Sequence, residues 1–227
     1  MPPSFGPHPN FDFIARPYRW LEYLTFGLML ERCRFHFLPE LKGTRRALVL
    51  GDGDGRFLAR MLAANPLLQA DAVDLSPAML GLLQSRAARI GAGERIALHC
   101  ADARTFAPSG SYSLIVTHFF LDCLTMEEVE TLVSRLLPHL APGARWVVSE
   151  FAVPSGAFSV PANCIVRTLY AAFRLLTGLR VRRLPDYSAV LGSAGLSLIA
   201  ERRWLRGLLV SELWEFSGNL PHTQKLP

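Results

Sequence analysis

The sequence predicts an α/β fold in which a mostly parallel β-sheet lies between layers of helices. Three observations predict it. Short apolar runs alternate with stretches of helical periodicity through the middle of the 227-residue chain, a Gly-rich turn joins the first run to the first of those helices, and two closing runs flank a turn and read as a hairpin.

The first strand is Ala47-Leu-Val-Leu50, followed by Gly51-Asp-Gly-Asp-Gly55 and a helix carrying Phe57, Leu58, Met61 and Leu62. Ala70–Asp74 is the second strand. Pro77–Ile90 follows as a helix, with Ser76 placed to cap it and Met79, Leu82, Leu83 and Ile90 forming its apolar face. Ile96–His99 and Tyr112–Thr117 are the third and fourth strands, Met126–Leu140 a helix, and Ala144–Ser149 a fifth strand launched by Pro142-Gly143. Pro161–Thr177 and Asp186–Ser193 read as helices, and Leu196–Trp204 and Leu208–Phe216 as an antiparallel pair turning near Arg206-Gly207. Upstream, residues 1–16 hold four prolines and form an irregular arm, and Pro17 to about Phe37 is a helix. The expected division is an arm and leader helix over 1–43, one domain over 44–216 and a tail over 217–227, with 151–195 as a variable segment inside the domain.

Composition narrows the function classes. Half of the residues are hydrophobic and 19% charged, which suits a globular protein and excludes disorder. The net charge of +5 rests almost wholly on Arg, since Lys42 and Lys225 are the only lysines, and its densest cluster, Arg180, Arg182 and Arg183, is too short for a nucleic-acid stripe. Cys33, Cys100, Cys123 and Cys164 form no C-x-x-C pair or metal-ligand spacing, which points to a reducing compartment and no metal. With no secretory signal and no membrane-length apolar run, a cytoplasmic protein with a small-molecule partner is expected.

Three segments carry chemistry. Gly51, Gly53 and Gly55 let the backbone of a strand-to-helix turn approach a ligand, and the helix start offers amides to an electron-rich group. A dinucleotide fingerprint would set its third glycine at position 56, where the chain has Arg56, so a pyrophosphate is disfavoured. Asp74 closes the second strand, where a carboxylate accepts from both hydroxyls of a ribose. Asp102, after the third strand, is placed to meet an exocyclic amine of adenine, with Ala103 leaving room for the ring, although an Asp there also serves as turn chemistry.

In this order the segments, with Leu75-Ser-Pro-Ala-Met79 and Leu140-Ala-Pro-Gly143, resemble the class I S-adenosylmethionine-dependent methyltransferases over about residues 44–151. The resemblance implies a Rossmann-like three-layer sandwich whose seven strands run 3-2-1-4-5-7-6, with strand seven antiparallel. It implies S-adenosylmethionine as cofactor, with Gly51–Gly55 under its methionine, Asp74 on its ribose, Leu75 and Met79 nearby, Asp102 and Ala103 at its adenine, and His118 and Phe119 facing cofactor and acceptor. Family members commonly carry an acidic residue where this chain has Val49, and Asp52 is the candidate replacement for holding the ammonium group. The leader around Tyr18 is similar to that of ubiquinone- and menaquinone-type methyltransferases, which places Tyr18 at the methionine end.

Methyl transfer from a sulfonium needs a base only if the acceptor must lose a proton. His118 is the first candidate and Asp122 the second, as its orienter or as the base itself. Structural alternatives stand beside both: a half-buried packing residue for His118 and a helix cap for Asp122. Phe158, Ile165, Leu169, Tyr170 and Phe173 suggest an apolar, aromatic or lipid-like acceptor, with Arg167 and Arg174 available to an acidic group. Two other readings remain open here: a nicotinamide-dependent oxidoreductase, and a non-catalytic module touching a membrane surface through the basic amphipathic stretch 161–183.

Overall fold

The computed structural model describes Phe26, residues 28–156, residues 158–177, Val181 and residues 184–218, without the side chains of Leu169, Tyr170 and residues 172–177. Tyr18, most of the leader helix and the tail beyond residue 218 lie outside the described residues.

β1 (Arg46–Leu50) is the central strand, and Ala47 to Leu50 are each at most 1% exposed. Burial on both faces explains why it reads as an unbroken apolar run. It pairs in parallel with β2 (Gln69–Asp74) on one side and β4 (Tyr112–His118) on the other. β3 (Ile96–Cys100) extends the sheet beyond β2, β5 (Leu140–Phe151) lies beside β4, and β7 (Leu209–Phe216) runs antiparallel between β5 and β6 (Leu196–Trp204). The order is β3-β2-β1-β4-β5-β7-β6, as expected. The chain leaves β1 for β2 and returns on its far side as β4, so a crevice opens at the carboxyl ends of these strands, where open α/β sheets bind ligands.

One sheet face packs α1 (Met29–Phe35), α2 (Arg56–Ala64) and α3 (Pro77–Arg89), with Phe57, Leu58, Met61 and Leu62 against Val49, Val116 and Val147. The other packs α4 (Met126–Leu136) and α6 (Tyr187–Ser193) over Leu48, Ile115, Trp146 and Val148. Trp146 is fully buried and its Nε1 donates to Thr117 Oγ1 at 3.0 Å, so its one polar group is satisfied. α5 (Ser159–Thr177) rests on the carboxyl rim through Ala162 and Val166 beside Leu208.

Several boundaries differ from the sequence reading. α3 buries Met79, Leu80, Leu83 and Ala87 while Leu82 and Ile90 are exposed, because the sheet lies one position round the helix from the face that periodicity favours. α4 ends at Leu136 and passes into a 3-10 turn through Pro138, which cannot continue the helix. β5 begins at Leu140, ahead of Pro142-Gly143, and the bulge there shifts its register with β4. Of the expected apolar face of α5, Ile165 is exposed, and Leu169, Tyr170, Phe173 and Arg174 have side chains outside the description. The closing hairpin turns through Leu205 and Arg206 at φ 49° and 57° and Gly207 at φ 94°.

Candidate active site

The turn after β1 is left-handed at all three glycines: φ is 65° at Gly51, 61° at Gly53 and 77° at Gly55. Each has its own surroundings. A Cβ on Gly51 would meet Phe120, a Cβ on Gly55 would meet Leu83 at 2.4 Å, and Gly53 faces open space. Gly55 thus provides close helix packing, while Gly53 leaves backbone bare to the crevice. Arg56, in place of a third fingerprint glycine, is held by Asp54 at 2.9 Å, and Arg86 clasps the same carboxylate at 2.7 Å. These ion pairs tie the turn to α3.

Asp52 points inward from this turn. Its Oδ2 accepts from the Leu58 amide at 3.0 Å, whereas its Oδ1 is enclosed with no hydrogen-bond partner. Burial pushes its carboxyl up to about 7, against the pull of the Leu58 amide and of Arg34. At the tip of β4, His118 is 3% exposed, packs edge-on against Phe57 at 4.5 Å, and has no partner for either ring nitrogen. Burial, reinforced by Arg34, lowers its pKa well below the usual range, so the ring is neutral at pH 7. Arg34 is itself buried, with its guanidinium 5.5 Å from the Phe119 ring. Arg34 of α1 therefore acts electrostatically on both Asp52, in the turn after β1, and His118, at the tip of β4. An enclosed polar atom without a partner is costly unless a ligand or water completes it.

Asp74 and Asp102 follow neighbouring parallel strands, with Asp74 in register with Cys100, and so stand on the same rim as the glycine turn. Asp74 Oδ1 accepts from the Ser76 amide at 2.8 Å, ahead of the Ser76 cap, whose Oγ accepts from Met79 at 3.2 Å. Asp102 is more heavily engaged: both carboxylate oxygens accept from Arg104 Nε, at 3.0 and 2.9 Å, and Arg104 continues to Glu128 in the capping box of α4. Leu75 is half-buried, and Met79 and Ala103 are buried.

Beyond β4 the chain turns sharply. Phe119 sits at φ 53°, its amide donating to Ser149 O at 2.6 Å, and a 3-10 turn spans Leu121–Cys123. Glu150, fully buried, organises this turn: its Oε1 accepts from the Phe120 and Leu121 amides at 3.0 and 2.8 Å. Burial, with Asp122 adding to it, raises the pKa of Glu150 strongly, and burial pushes the Asp122 carboxyl up to about 6. The sequence reading missed Glu150. Its signal was an acid closing an otherwise apolar strand, Trp146-Val-Val-Ser-Glu150.

Alternation along the strands sends His118 and Glu150 to opposite faces. His118 shares the α2 face with Val116, whereas Glu150 shares the α4 face with Trp146 and Val148. On that second face, beneath α5, lies a cavity of about 790 Å³ lined by residues including Phe151, Val153, Val166, Tyr187 and Glu212.

Residues 47–143 match the model of a methyltransferase domain. This central region is a methyltransferase domain with the strand order of the class I fold. The chain is 33% identical over 137 residues to a trans-aconitate 2-methyltransferase of Streptomyces avermitilis, covering 58% of this chain and 47% of that protein. It is 29% identical over 163 residues to a demethylspheroidene O-methyltransferase of Cereibacter sphaeroides, covering 71% and 42%. The chain therefore spans under half the length of these relatives. In fold, the methyltransferase domain is similar to the N-methyltransferase NodS of Bradyrhizobium japonicum in complex with S-adenosylhomocysteine, with a TM-score of 0.59, 17% identity and coverage of 82% of this chain and 87% of that one. An O-methyltransferase family protein of Burkholderia thailandensis gives 0.65, 17%, 93% and 65%. Among the described residues, no helix is long and apolar enough to cross a membrane and no cluster of metal-ligating side chains occurs.

Proposed function

We propose that this chain transfers the methyl group of S-adenosylmethionine to a small acceptor with an apolar or aromatic body. The observation that carries the reading is Asp52 Oδ1, an enclosed acceptor without a partner beside the open backbone of Gly53. An α-ammonium group supplies the donor this atom lacks, which the buried Val49 does not accommodate at the family's usual acidic position. Arg34 supplies the matching cation for an α-carboxylate.

In this reading Gly51–Gly55 underlie the methionine part, with His118 beside it. Asp74 accepts from the ribose hydroxyls next to Leu75 and Met79, and Asp102 with Ala103 borders the adenine. Phe119 separates the sulfonium end from the acceptor. Bound there, the sulfonium provides an already activated methyl group. The protein's share is to orient the acceptor in line and to exclude water, tasks suited to Phe119, Phe120 and Phe151. If the acceptor is a hydroxyl, its proton goes to Asp122, which neighbours Glu150; His118 lies on the opposite sheet face from Glu150.

Calorimetry with S-adenosylhomocysteine tests the reading. Binding by the full chain, abolished by Asp74→Ala, is the expected result. No binding by a folded protein overturns it.

A further inference from the structure

The cavity beneath α5 holds a buried acid that the methyl-transfer reading does not use. Its volume of about 790 Å³ lies in the range of small-molecule pockets. Phe151, Val153, Val166 and Leu184 make apolar walls, and the floor is formed by β7 and the start of α6.

Glu212 stands on that floor. It is only 4% exposed, and its Oε2 accepts from Trp214 Nε1 at 2.9 Å. Among the described residues it makes no ion pair. Two arginines also line the cavity: Arg203, committed to Glu201 with bonds of 2.6 and 2.8 Å from its two nitrogens, and Arg167 on α5, which is exposed. Glu201 is paired directly across the strands from Glu212, so a second carboxylate adds to the negative field there. Tyr187 adjoins Glu212 and lines the same cavity. Burial, with Glu201 adding to it, raises the Glu212 pKa against the hydrogen bonds of Trp214 and Tyr187 and the charge of Arg203.

We infer that the cavity takes an acceptor whose far end is an amine, seated as a cation against Glu212, with its apolar body along Phe151 and Val166. The inference rests on the methyltransferase reading and adds the class of substrate. It also sets a geometry. β7 is separated from β4 by β5 alone, so Glu212 stands about 10 Å from the β4 tip at ordinary strand spacing. The amine is therefore an anchor, and the methyl-accepting atom lies at the other end of the molecule. Glu212 acts as a specificity residue rather than a catalytic one.

Three probes that share a phenol and differ at the opposite end test this: tyramine, tyrosol and 4-hydroxyphenylacetate. Titrated into the full chain saturated with S-adenosylhomocysteine, tyramine should bind at least about tenfold tighter than the other two, and Glu212→Gln should cancel its lead. Equal or tighter binding of 4-hydroxyphenylacetate overturns the inference. So does a tyramine preference that survives Glu212→Gln, or the absence of binding by all three at millimolar concentration. The wild-type ranking stands without the variant should Glu212→Gln fail to fold. S-adenosylhomocysteine is titrated first, so loss of the methyltransferase reading shows as failure of that step. The cavity is walled by protein alone, so the three probes are then ranked on the unliganded chain with the same criteria.

Discussion

Phe120 lies so close over Gly51 that a Cβ there would stand 2.6 Å from its Cδ2, which fits the turn after β1 against the loop after β4. Gly51→Ala must both hold φ 65° with a side chain and displace that ring. A cost of about 2–4 kcal/mol is expected, a melting-temperature drop of several degrees, together with more than tenfold weaker binding of S-adenosylhomocysteine. Gly53→Ala meets open space and bears only the backbone strain, so its melting temperature should fall less. Equal destabilisation of the two variants, measured by thermal unfolding, contradicts this fit.

Asp52 makes cofactor affinity depend on pH. Its carboxyl titrates at about 7 in the folded chain, and an ammonium group binds its ionised form. Affinity for S-adenosylhomocysteine should rise between pH 6 and 8 and flatten in Asp52→Asn. Stability moves the other way. The folded pKa lies above the unfolded one, so this group's contribution is most favourable at low pH and is lost as pH rises from about 4 to 7. Denaturant titrations should show that decline in the wild type, reduced in Asp52→Asn.

Arg34 is assigned to the carboxylate of the methionine part. In Arg34→Met, binding of S-adenosylhomocysteine should weaken by about 1.5–3 kcal/mol, the worth of a charge-assisted contact. Binding of 5′-methylthioadenosine, which lacks the amino-acid end, should hardly change. Parallel calorimetric losses for both ligands remove Arg34 from this role.

Glu150 supports the loop that carries Phe119 and Phe120. Glu150→Leu leaves two buried amides without an acceptor, a loss of about 2–5 kcal/mol, while Glu150→Gln retains a carbonyl oxygen and should lose far less. Chemical denaturation of the two variants gives the comparison, and similar losses argue against the hydrogen bonds as the cause.

Asp122 as base predicts turnover that rises with pH through about 6. Asp122→Asn should lower kcat about a hundredfold or more while leaving S-adenosylhomocysteine binding intact. A kcat near wild type assigns the acceptor's deprotonation elsewhere or makes it unnecessary. His118→Asn should instead act on cofactor binding, measured by the same titration.

Order along the chain was enough to read the strand sequence, the glycine turn and the rim positions of Asp74 and Asp102, because these depend on local periodicity and on residues close in sequence. Turn conformation is likewise local: Gly51, Gly53 and Gly55 advertise their left-handed backbone, and Ser76-Pro77 advertises a helix start. Three things were decided only by packing across the sheet. Asp102 turned to Arg104 and Glu128, whose meeting needs α4 to dock beside the third crossover. His118 and Glu150 were sent to opposite faces, and the grouping of Arg34, Asp52 and His118 was assembled from three segments far apart in the chain. The electrostatic character of Asp52, Asp122, Glu150 and Glu212 followed from burial, which depends on what other elements lie above each residue, and no pattern within a single segment encodes that.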